Sequence, residues 1–281
     1  MTGRLVVLFA LFSLFASDVS AWSANAHRRI AADAEKRLHA SVLRKIAELI
    51  GPGISLADLS TCADEIREVA RNPNATPLAQ RCLLSDEEVK QSYRKTSAWH
   101  FVNLPIPGTT NEADLRKACA REGSCIVSEI DRFTAELKNT SLPKKRRAVA
   151  LMFLTHLIGD IHQPLHAVDR AGDMGGNTVH VRLGKSTTRL HGLWDSVLAE
   201  DAGMPSGRVN GRNTAPASWA FESRDAARRA VYKDVPVRET SAQSPIVLPA
   251  AYKERAQAVI RQRMHAASVR LAAVLAQALG N

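Results

Sequence analysis

The stretch from Pro143 to His166 reads PKKRRAVALMFLTHLIGDIHQPLH, and it decides the fold. Its apolar residues recur with helical spacing from position 148 to position 158, and a proline stands near each end of the stretch. The first proline suits the start of a helix, and the second, Pro164, ends it. The stretch therefore predicts a long apolar helix that presents His156 and Asp160 on one face, one turn apart.

Outside this helix, apolar residues at three- and four-residue spacing predict helices over Arg28–Leu38, Ser41–Ile50 and Ser128–Leu137, and a long closing helix from about Ala250 to Leu279. The alternation in Thr178–Leu183 predicts a strand, which turns at 184–186 and returns through Arg189 and Leu190. Residues 201–218 are rich in Gly, Asn, Pro and Ser and predict a surface loop. We expect one mainly α domain over residues 22–281, with a short β-hairpin near 177–190.

The first residues of the chain predict an export signal. Arg4 precedes the apolar run Leu5–Ala16, and Val19 and Ala21 place small residues at the −3 and −1 positions of a cleavage site. This run is too short to span a bilayer, and no other segment approaches the length that spanning requires. We therefore expect a signal peptide over 1–21, cleavage after Ala21, a mature chain that begins at Trp22, and a secreted or periplasmic protein.

The cysteine content predicts disulfide bonds. An even number of cysteines in an exported chain indicates paired thiols, and three pairings of four cysteines are open. We favour the two pairings that are local in sequence, Cys62 with Cys82 and Cys119 with Cys125. A thiolate zinc site is the alternative, but the chain has no pair of cysteines separated by two residues.

The charge balance favours an anionic partner. Lys and Arg total 38 against 28 Asp and Glu, which gives a net charge of +10 and favours nucleic acid or an anionic membrane surface. The alternative is a basic surface that contacts only solvent, and we assign the run Lys144–Arg147 to such a surface. An apolar content of 45% excludes a chain that is disordered throughout.

Histidine and aspartate recur at a spacing that suits metal binding. His191 and Asp195 repeat the four-residue spacing of His156 and Asp160, and His166 lies between the two pairs. A lone histidine on an apolar face is usually a core residue, but two such pairs place carboxylates that are costly to bury without a cation. Nitrogen and oxygen donors without thiolate suit zinc, with manganese as the alternative on ligand type.

These pairs belong to a larger set of motifs: Trp22-x4-His27, Ala63-Asp64-Glu65-Ile66-Arg67, Trp99-His100-Phe101-Val102-Asn103, His156 to His166, Gly172-Asp173-Met174-Gly175-Gly176-Asn177, and His191-Gly192-Leu193-Trp194-Asp195. In this order the set resembles the type I, single-strand-preferring nucleases of fungi, plants and bacteria. That family shares a trinuclear zinc site and a helical fold with the zinc-dependent bacterial phospholipases C. The resemblance thus implies a helical domain of this kind.

The resemblance also implies three zinc ions per chain, with the ligands shared out as follows. The first zinc would be held by Asp64, His100, His156 and Asp160. The second would be held by His166, His191 and Asp195, with positions left open for water and substrate. The third would take the α-amino and carbonyl groups of Trp22, the side chain of His27, and Asp160, which would bridge to the first zinc.

Further residues are expected to contact substrate. Phe101 would stack on a base, with a core aromatic as the alternative, and Asn103 stands where fungal members often have an aspartate that contacts the base. Asn177 follows two glycines and would bind a phosphate oxygen, with a structural turn as the alternative. Asp64, Asp160 and Asn177 are the predicted catalytic residues. Asp173 would orient a ligating histidine through its other ring nitrogen.

The implied activity is that of a zinc-dependent endonuclease and 3′-nucleotidase. It would hydrolyse single-stranded DNA and RNA through a metal-bound hydroxide, leave 5′-phosphorylated products and serve nucleic acid catabolism, with no protein nucleophile and no obligate protein partner. Two alternatives remain: a phospholipase C that acts on phosphatidylcholine-type lipids, and a zinc-binding protein without enzyme activity. The net charge and Phe101 favour nucleic acid over a choline lipid.

Overall fold

The computed structural model describes residues 22–72, 74–109, 111–209, 211 and 213–280. The predicted signal peptide at 1–21 lies outside these residues. The described helices are α1 (Ala24–Glu35), α2 (Ala40–Ile50), α3 (Leu56–Leu59), α4 (Cys62–Arg71), α5 (Asp86–Glu88), α6 (Glu112–Arg121), α7 (Ile126–Lys138), α8 (Lys144–Asp160), α9 (Leu190–Gly192), α10 (Leu198–Glu200), α11 (Pro216–Ala226) and α12 (Ala251–Leu279). The prediction of a mainly α fold is confirmed.

Six short helical segments of the described residues are of 3-10 or π type. Turns of 3-10 type span Gln80–Cys82, Ser97–His100 and Pro164–Ala167. Turns of π type span Val89–Tyr93, Leu193–Val197 and Ala227–Val231. Two of these six turns carry histidines of the predicted metal site, which places those side chains where the backbone departs from regular α-helix.

Helix α8 is the central element of the fold. Every residue from Ala148 to Asp160 is buried, so the helix has no solvent face along this length. This explains why its sequence is apolar all round instead of amphipathic. The helix begins after Pro143 and is followed by the turn at Pro164, as predicted from the two prolines.

Two hydrophobic clusters meet along α1 and α12. On α1, Ile30 belongs to one cluster and Ala34 to the other. On α12, Met264 and Leu271 divide in the same way. Side chains on these two helices therefore connect the cluster around α8 to the cluster that contains Trp22 and Trp194. None of the described helices is both long and apolar enough to cross a bilayer.

A small amount of sheet lies beside the helices. The strands are β1 (Pro105–Ile106), β2 (Asp169–Arg170), β3 (His180–Leu183), β4 (Ser186–Arg189) and β5 (Ile246–Val247). The predicted hairpin is confirmed as the antiparallel pair β3–β4, and β5 adds a parallel strand to β3 that the sequence did not predict. The parallel pair β1–β2 was also not predicted.

The predicted loop over 201–218 is wrong at its end. Helix α11 begins at Pro216 instead of after Ser218, because proline is well tolerated in the first turn of a helix. The other predicted helices agree with α1, α2, α7 and α12 to within a few residues at each end.

Both predicted disulfides are present. Cys62 is bonded to Cys82, and Cys119 is bonded to Cys125. The first bond ties the start of α4 to the turn at Gln80–Cys82, so it fixes the helix that carries Asp64. The alternative of a thiolate zinc site fails because all four cysteines of the chain are oxidised in these pairs.

Candidate metal centre

The carboxylate of Asp160 lies at the centre of three imidazole rings. It is fully buried at the C-terminal end of α8. One oxygen lies 3.1 Å from Nε2 of His27, and the other lies 3.0 Å from Nε2 of His156 and 2.9 Å from Nδ1 of His100. Both of its oxygens therefore face imidazole nitrogens, on two sides of the carboxylate.

Asp64 approaches the same group from α4. Its Oδ1 atom lies 3.7 Å from Nδ1 of His100 and 3.7 Å from Nε2 of His156. The four residues predicted to hold the first zinc are therefore brought together by α4, α8 and the turn at Ser97–His100. Three of them, His100, His156 and Asp160, offer ligand atoms that lie close enough together to hold a single ion.

The second predicted set is also assembled. Nε2 of His191 lies 3.1 Å from Oδ2 of Asp195 and 3.1 Å from Nε2 of His166. His191 lies in α9 and Asp195 in the π turn Leu193–Val197, while His166 lies in the turn Pro164–Ala167. The three side chains form a compact, buried group of candidate ligands.

Trp22 and His27 reach the cluster from the start of α1. The side chain of Ser23 accepts a hydrogen bond from the amide of Ala26, which caps the helix one residue before His27. The indole of fully buried Trp22 donates to the carbonyl of Gly159 (2.9 Å), and the amide of Ser23 donates to the carbonyl of Asp195 (2.7 Å). The main chain at Trp22 is thus held between Gly159, which precedes Asp160, and the candidate ligand Asp195.

Backbone carbonyls orient three of the histidines. Nδ1 donates to the carbonyl of Ser60 from His156 (2.6 Å), to that of His100 from His166 (2.7 Å), and to that of Gly175 from His191 (2.7 Å). These bonds place the proton on Nδ1 and turn the Nε2 lone pair toward the cluster, as in metal-binding histidines generally. The surrounding backbone carbonyls therefore fix the ring tautomer that metal binding requires.

Several buried polar atoms of the cluster lack a hydrogen-bond partner. Among the described residues, several buried atoms have no hydrogen bond of acceptable geometry: His27 Nε2, Asp64 Oδ1, His156 Nε2, Asp160 Oδ1 and Asp195 Oδ2. Each buried polar atom left without a partner costs about 1–3 kcal/mol. Such atoms converging from three helices and one turn fit bound metal, and the nitrogen and oxygen donor set fits zinc.

Burial and the neighbouring charges shift the pKa values of the cluster residues. Burial lowers the pKa of His100 to about 4. Burial alone would also lower the pKa of His156, but the carboxylates of Asp160 and Asp64 raise it to about 9. Burial would raise the pKa of Asp160, yet the surrounding imidazoles hold it well below its usual value. The cluster is therefore arranged around ionised carboxylates that favour positive charge beside them.

Gly159 leaves the room that His27 occupies. A Cβ atom at position 159 would lie 2.9 Å from Nδ1 of His27 and 3.0 Å from its Cε1. Gly159→Ala is therefore expected to displace His27 and to cost about one of the bound metals per chain, measured by elemental analysis of the purified protein. Gly192→Ala is the matched control, because the nearest atom to its new Cβ is Thr188 Oγ1 at 3.8 Å. Full metal content in Gly159→Ala would contradict the placement of His27.

A narrow cavity opens beside the cluster. Its volume is about 130 Å³, and it is lined by Arg67, His100, Phe101, Asn103, Leu165, His166, Met174, Asn177 and His191. The predicted substrate contacts Phe101, Asn103 and Asn177 all lie on its wall. The amide of Asn177 donates to the carbonyl of Met174 (2.9 Å), so this side chain also shapes the loop that carries it.

Three residues of the site were missed from the sequence. Arg67 forms an ion pair with Oδ1 of Asp64 (N···O 2.8 Å) and lines the cavity, and its position three residues after Asp64 on a helix was the signal. Gln163, which lies within the motif from His156 to His166, donates to Oδ1 of Asp195 (2.5 Å). Met174 lines the cavity and is 64% exposed.

One predicted contact is wrong. Asp173 does not reach a histidine; its Oδ2 atom accepts a hydrogen bond from Tyr232 (2.7 Å), and the carbonyl of Gly175 orients His191 instead. The loop turns at Gly175, where a backbone with φ of +62° brings the carbonyl to the ring. The sequence could not show a contact between residues 59 apart.

The comparisons with known proteins agree with the site. A sequence model of the S1/P1 Nuclease family matches residues 22–212. The chain is similar to Endonuclease 2 of Arabidopsis thaliana, with 28% identity over 204 residues that make up 70% of this chain and 63% of that protein. It is also similar to Nuclease P1 of Penicillium citrinum, with 36% identity over 136 residues (46% and 47% of the two chains), and to Nuclease S1 of Aspergillus oryzae, with 37% identity over 106 residues (37% and 35%).

The aligned part spans less than two thirds of each of these relatives. The match to the family nevertheless covers more than half of this chain and contains each candidate ligand, from Trp22 to Asp195. The chain therefore belongs to the S1/P1 nuclease family.

Proposed function

We propose that this protein is a secreted or periplasmic zinc-dependent endonuclease that cleaves single-stranded DNA and RNA to 5′-phosphorylated products and removes phosphate from 3′-nucleotides. The observation that carries the proposal is the convergence of five buried histidines and three aspartates on one cluster, in which three of the histidines also line a narrow cavity. Such a cluster of ligands beside a cavity is typical of metal-assisted hydrolysis. Family membership supports the same activity.

Three zinc ions are proposed, with the ligand sets predicted from the sequence. Asp64, His100, His156 and Asp160 would hold the first, and His166, His191 and Asp195 the second. Trp22, His27 and Asp160 would hold the third. When bound, zinc supplies Lewis-acid stabilisation of a phosphate ester and lowers the pKa of water.

The chain's own residues would bind and orient the substrate. Arg67 is held by Asp64 at the cavity wall, where its guanidinium is placed to contact phosphate oxygens. Phe101 and Met174 offer apolar surface for a nucleobase in the same cavity, and Asn103 and Asn177 offer amides for hydrogen bonds. A cavity of about 130 Å³ favours a single strand, because a base must leave its pair to enter.

A second cavity supports nucleic acid over lipid. Arg67 also lines a groove of about 730 Å³ that contains Arg28, Arg71 and Arg81. Each of its three acidic residues has a partner: Asp64 pairs with Arg67, Glu65 pairs with Arg81, and Glu68 accepts a hydrogen bond from Asn72. A polynucleotide that extends beyond the reacting nucleotide would find arginines there, whereas a diacylglycerol lipid would need an apolar surface.

The test compares substrates in parallel. The chain starting at Trp22 is incubated with single-stranded DNA, RNA, a 3′-nucleotide and phosphatidylcholine vesicles, with and without a chelator. We expect chelator-sensitive cleavage of both nucleic acids, with phosphate at the 5′ ends of the products. Cleavage of the lipid alone would identify a phospholipase C, and metal binding without hydrolysis of any substrate would identify a zinc-binding protein; either result overturns the proposal.

Phe101→Ala is expected to raise KM for a single-stranded oligonucleotide about tenfold, because stacking one base on an aromatic ring contributes about 1–3 kcal/mol. Metal content should stay unchanged. Phe221→Ala is the control, since Phe221 is also partly buried but lines a different cavity. Equal effects of the two substitutions on KM would argue against a stacking role for Phe101.

A further inference from the structure

The loop over residues 169–177 performs two tasks at the site. The carbonyl of Gly175 accepts the Nδ1 proton of His191 and so sets the orientation of a candidate zinc ligand. Met174 and Asn177 lie on the wall of the substrate cavity. The position of this loop therefore affects both the metal cluster and the cavity.

The backbone of the loop is not one that it would adopt by itself. Ala171 and Met174 have φ values of 57° and 52°, in the left-handed region that side chains other than glycine rarely occupy. Gly175 has no room for a side chain, because a Cβ atom there would overlap the carbonyl of Leu165. Such a conformation persists only where surrounding structure holds it in place.

Asp173 is the anchor within the loop. It is 6% exposed; its Oδ1 atom accepts from the amide of Arg170 (3.0 Å), and its Oδ2 atom accepts from the hydroxyl of Tyr232 (2.7 Å). The guanidinium of Arg170 lies 3.9 Å from the centre of the Tyr232 ring and donates to the carbonyl of Val235. One buried carboxylate thus joins the loop to the segment after α11.

Tyr232 supplies this anchor from another part of the chain. It is 7% exposed, directly follows the π turn Ala227–Val231, and lies beyond the residues that match the family. Burial and the neighbouring carboxylate raise the pKa of Tyr232 far above its usual value, so its hydroxyl keeps the proton that it donates.

We propose that Tyr232 is a positioning residue for the metal site, which acts through Asp173 to hold the 169–177 loop where Gly175 orients His191 and where Met174 and Asn177 face the substrate. The proposal rests on the proposed function for its substrate. Its metal-binding part can be measured without any substrate.

Tyr232→Phe removes one hydroxyl and keeps the ring under Arg170. We expect the affinity for the zinc assigned to His166, His191 and Asp195 to fall about tenfold, as is usual when a partner of a ligating histidine is disturbed. The measurement is competition of the zinc-free protein against a chromophoric chelator. At saturating zinc we expect kcat to recover while KM for single-stranded DNA stays raised, because Met174 and Asn177 share the displaced loop.

Ser268→Ala is the matched control. Ser268 is fully buried on α12, and its hydroxyl donates to the carboxylate of Asp33 (2.6 Å) without contacting the loop. We expect normal zinc affinity in this variant. Equal weakening of zinc binding in Ser268→Ala and Tyr232→Phe would overturn the proposal, because it would show a general effect of removing a buried hydroxyl.

A double variant tests whether Tyr232 acts through Asp173. Asp173→Asn should weaken zinc as Tyr232→Phe does, and the combined variant should be no weaker than Asp173→Asn alone. Additive losses would overturn the proposal, and so would a wild-type protein that binds no zinc. A wild type that binds zinc but cleaves no nucleic acid would contradict the proposed function while the zinc affinities still decided the role of Tyr232.

Discussion

Asp160→Asn is expected to lower endonuclease activity by a factor on the order of 10³, because it removes the charge that would stabilise the proposed zinc ions. In the structure both oxygens of Asp160 face imidazole nitrogens, so the carboxylate is placed between two of the proposed zinc positions. Asparagine keeps the volume but offers one neutral oxygen. The metal content should fall with the activity, and both are measured on the same purified sample.

Glu129→Gln controls for the loss of a buried carboxylate. Glu129 is 6% exposed and pairs with Arg132 on α7, outside the cluster. We expect at most a lower Tm, with metal content and activity retained. Full activity in Asp160→Asn, or an equal loss in Glu129→Gln, would show that Asp160 is not the bridging ligand.

A chain that keeps Ala21 is expected to lose the third zinc. Peptide-bond formation converts the α-amino group of Trp22 into an amide, which is a poor metal ligand. The side chain of Trp22 is anchored on the carbonyl of Gly159, and Ser23 is anchored on the carbonyl of Asp195, so the main chain cannot move away to admit an extra residue without losing these contacts. Activity should fall about 10- to 100-fold, the range typical of a disturbed metal site.

Two preparations check this expectation. One begins at Trp22, and the other begins at Ala21 with the same remaining sequence; an extension by one alanine at the C-terminus serves as the control. Metal content and cleavage of single-stranded DNA are compared. Equal values for the two N-termini would remove the α-amino group from the proposed ligands.

The main features of the fold follow from local sequence. The helix over Lys144–Asp160 was predicted from its apolar residues and two prolines, and the β3–β4 hairpin from alternation around a glycine turn. The strand pairs β1–β2 and β3–β5 were not predicted. Each pair joins segments more than 60 residues apart, and β1, β2 and β5 are only two residues long. The π turns have no signal in the apolar spacing.

Some residues of the site could also be predicted from local spacing, and others could not. Four-residue spacing alone indicated the pairs His156–Asp160 and His191–Asp195, and the structure brings both to the cluster. Spacing gave no reason to bring Asp64, His100 or His27 to the same place; the family resemblance supplied them. The predicted role of Asp173 was wrong because its partner, Tyr232, comes from a distant segment that no motif marks.

The most direct test of the account is the metal content of the chain that begins at Trp22, measured together with its cleavage of single-stranded DNA. The protein is assayed as purified, after removal of metal with a chelator, and after zinc is restored. We predict about three zinc ions per chain, loss of cleavage with the metal, and recovery of both on adding zinc. Cleavage that persists in metal-free protein, or a protein that binds no zinc, would contradict the account.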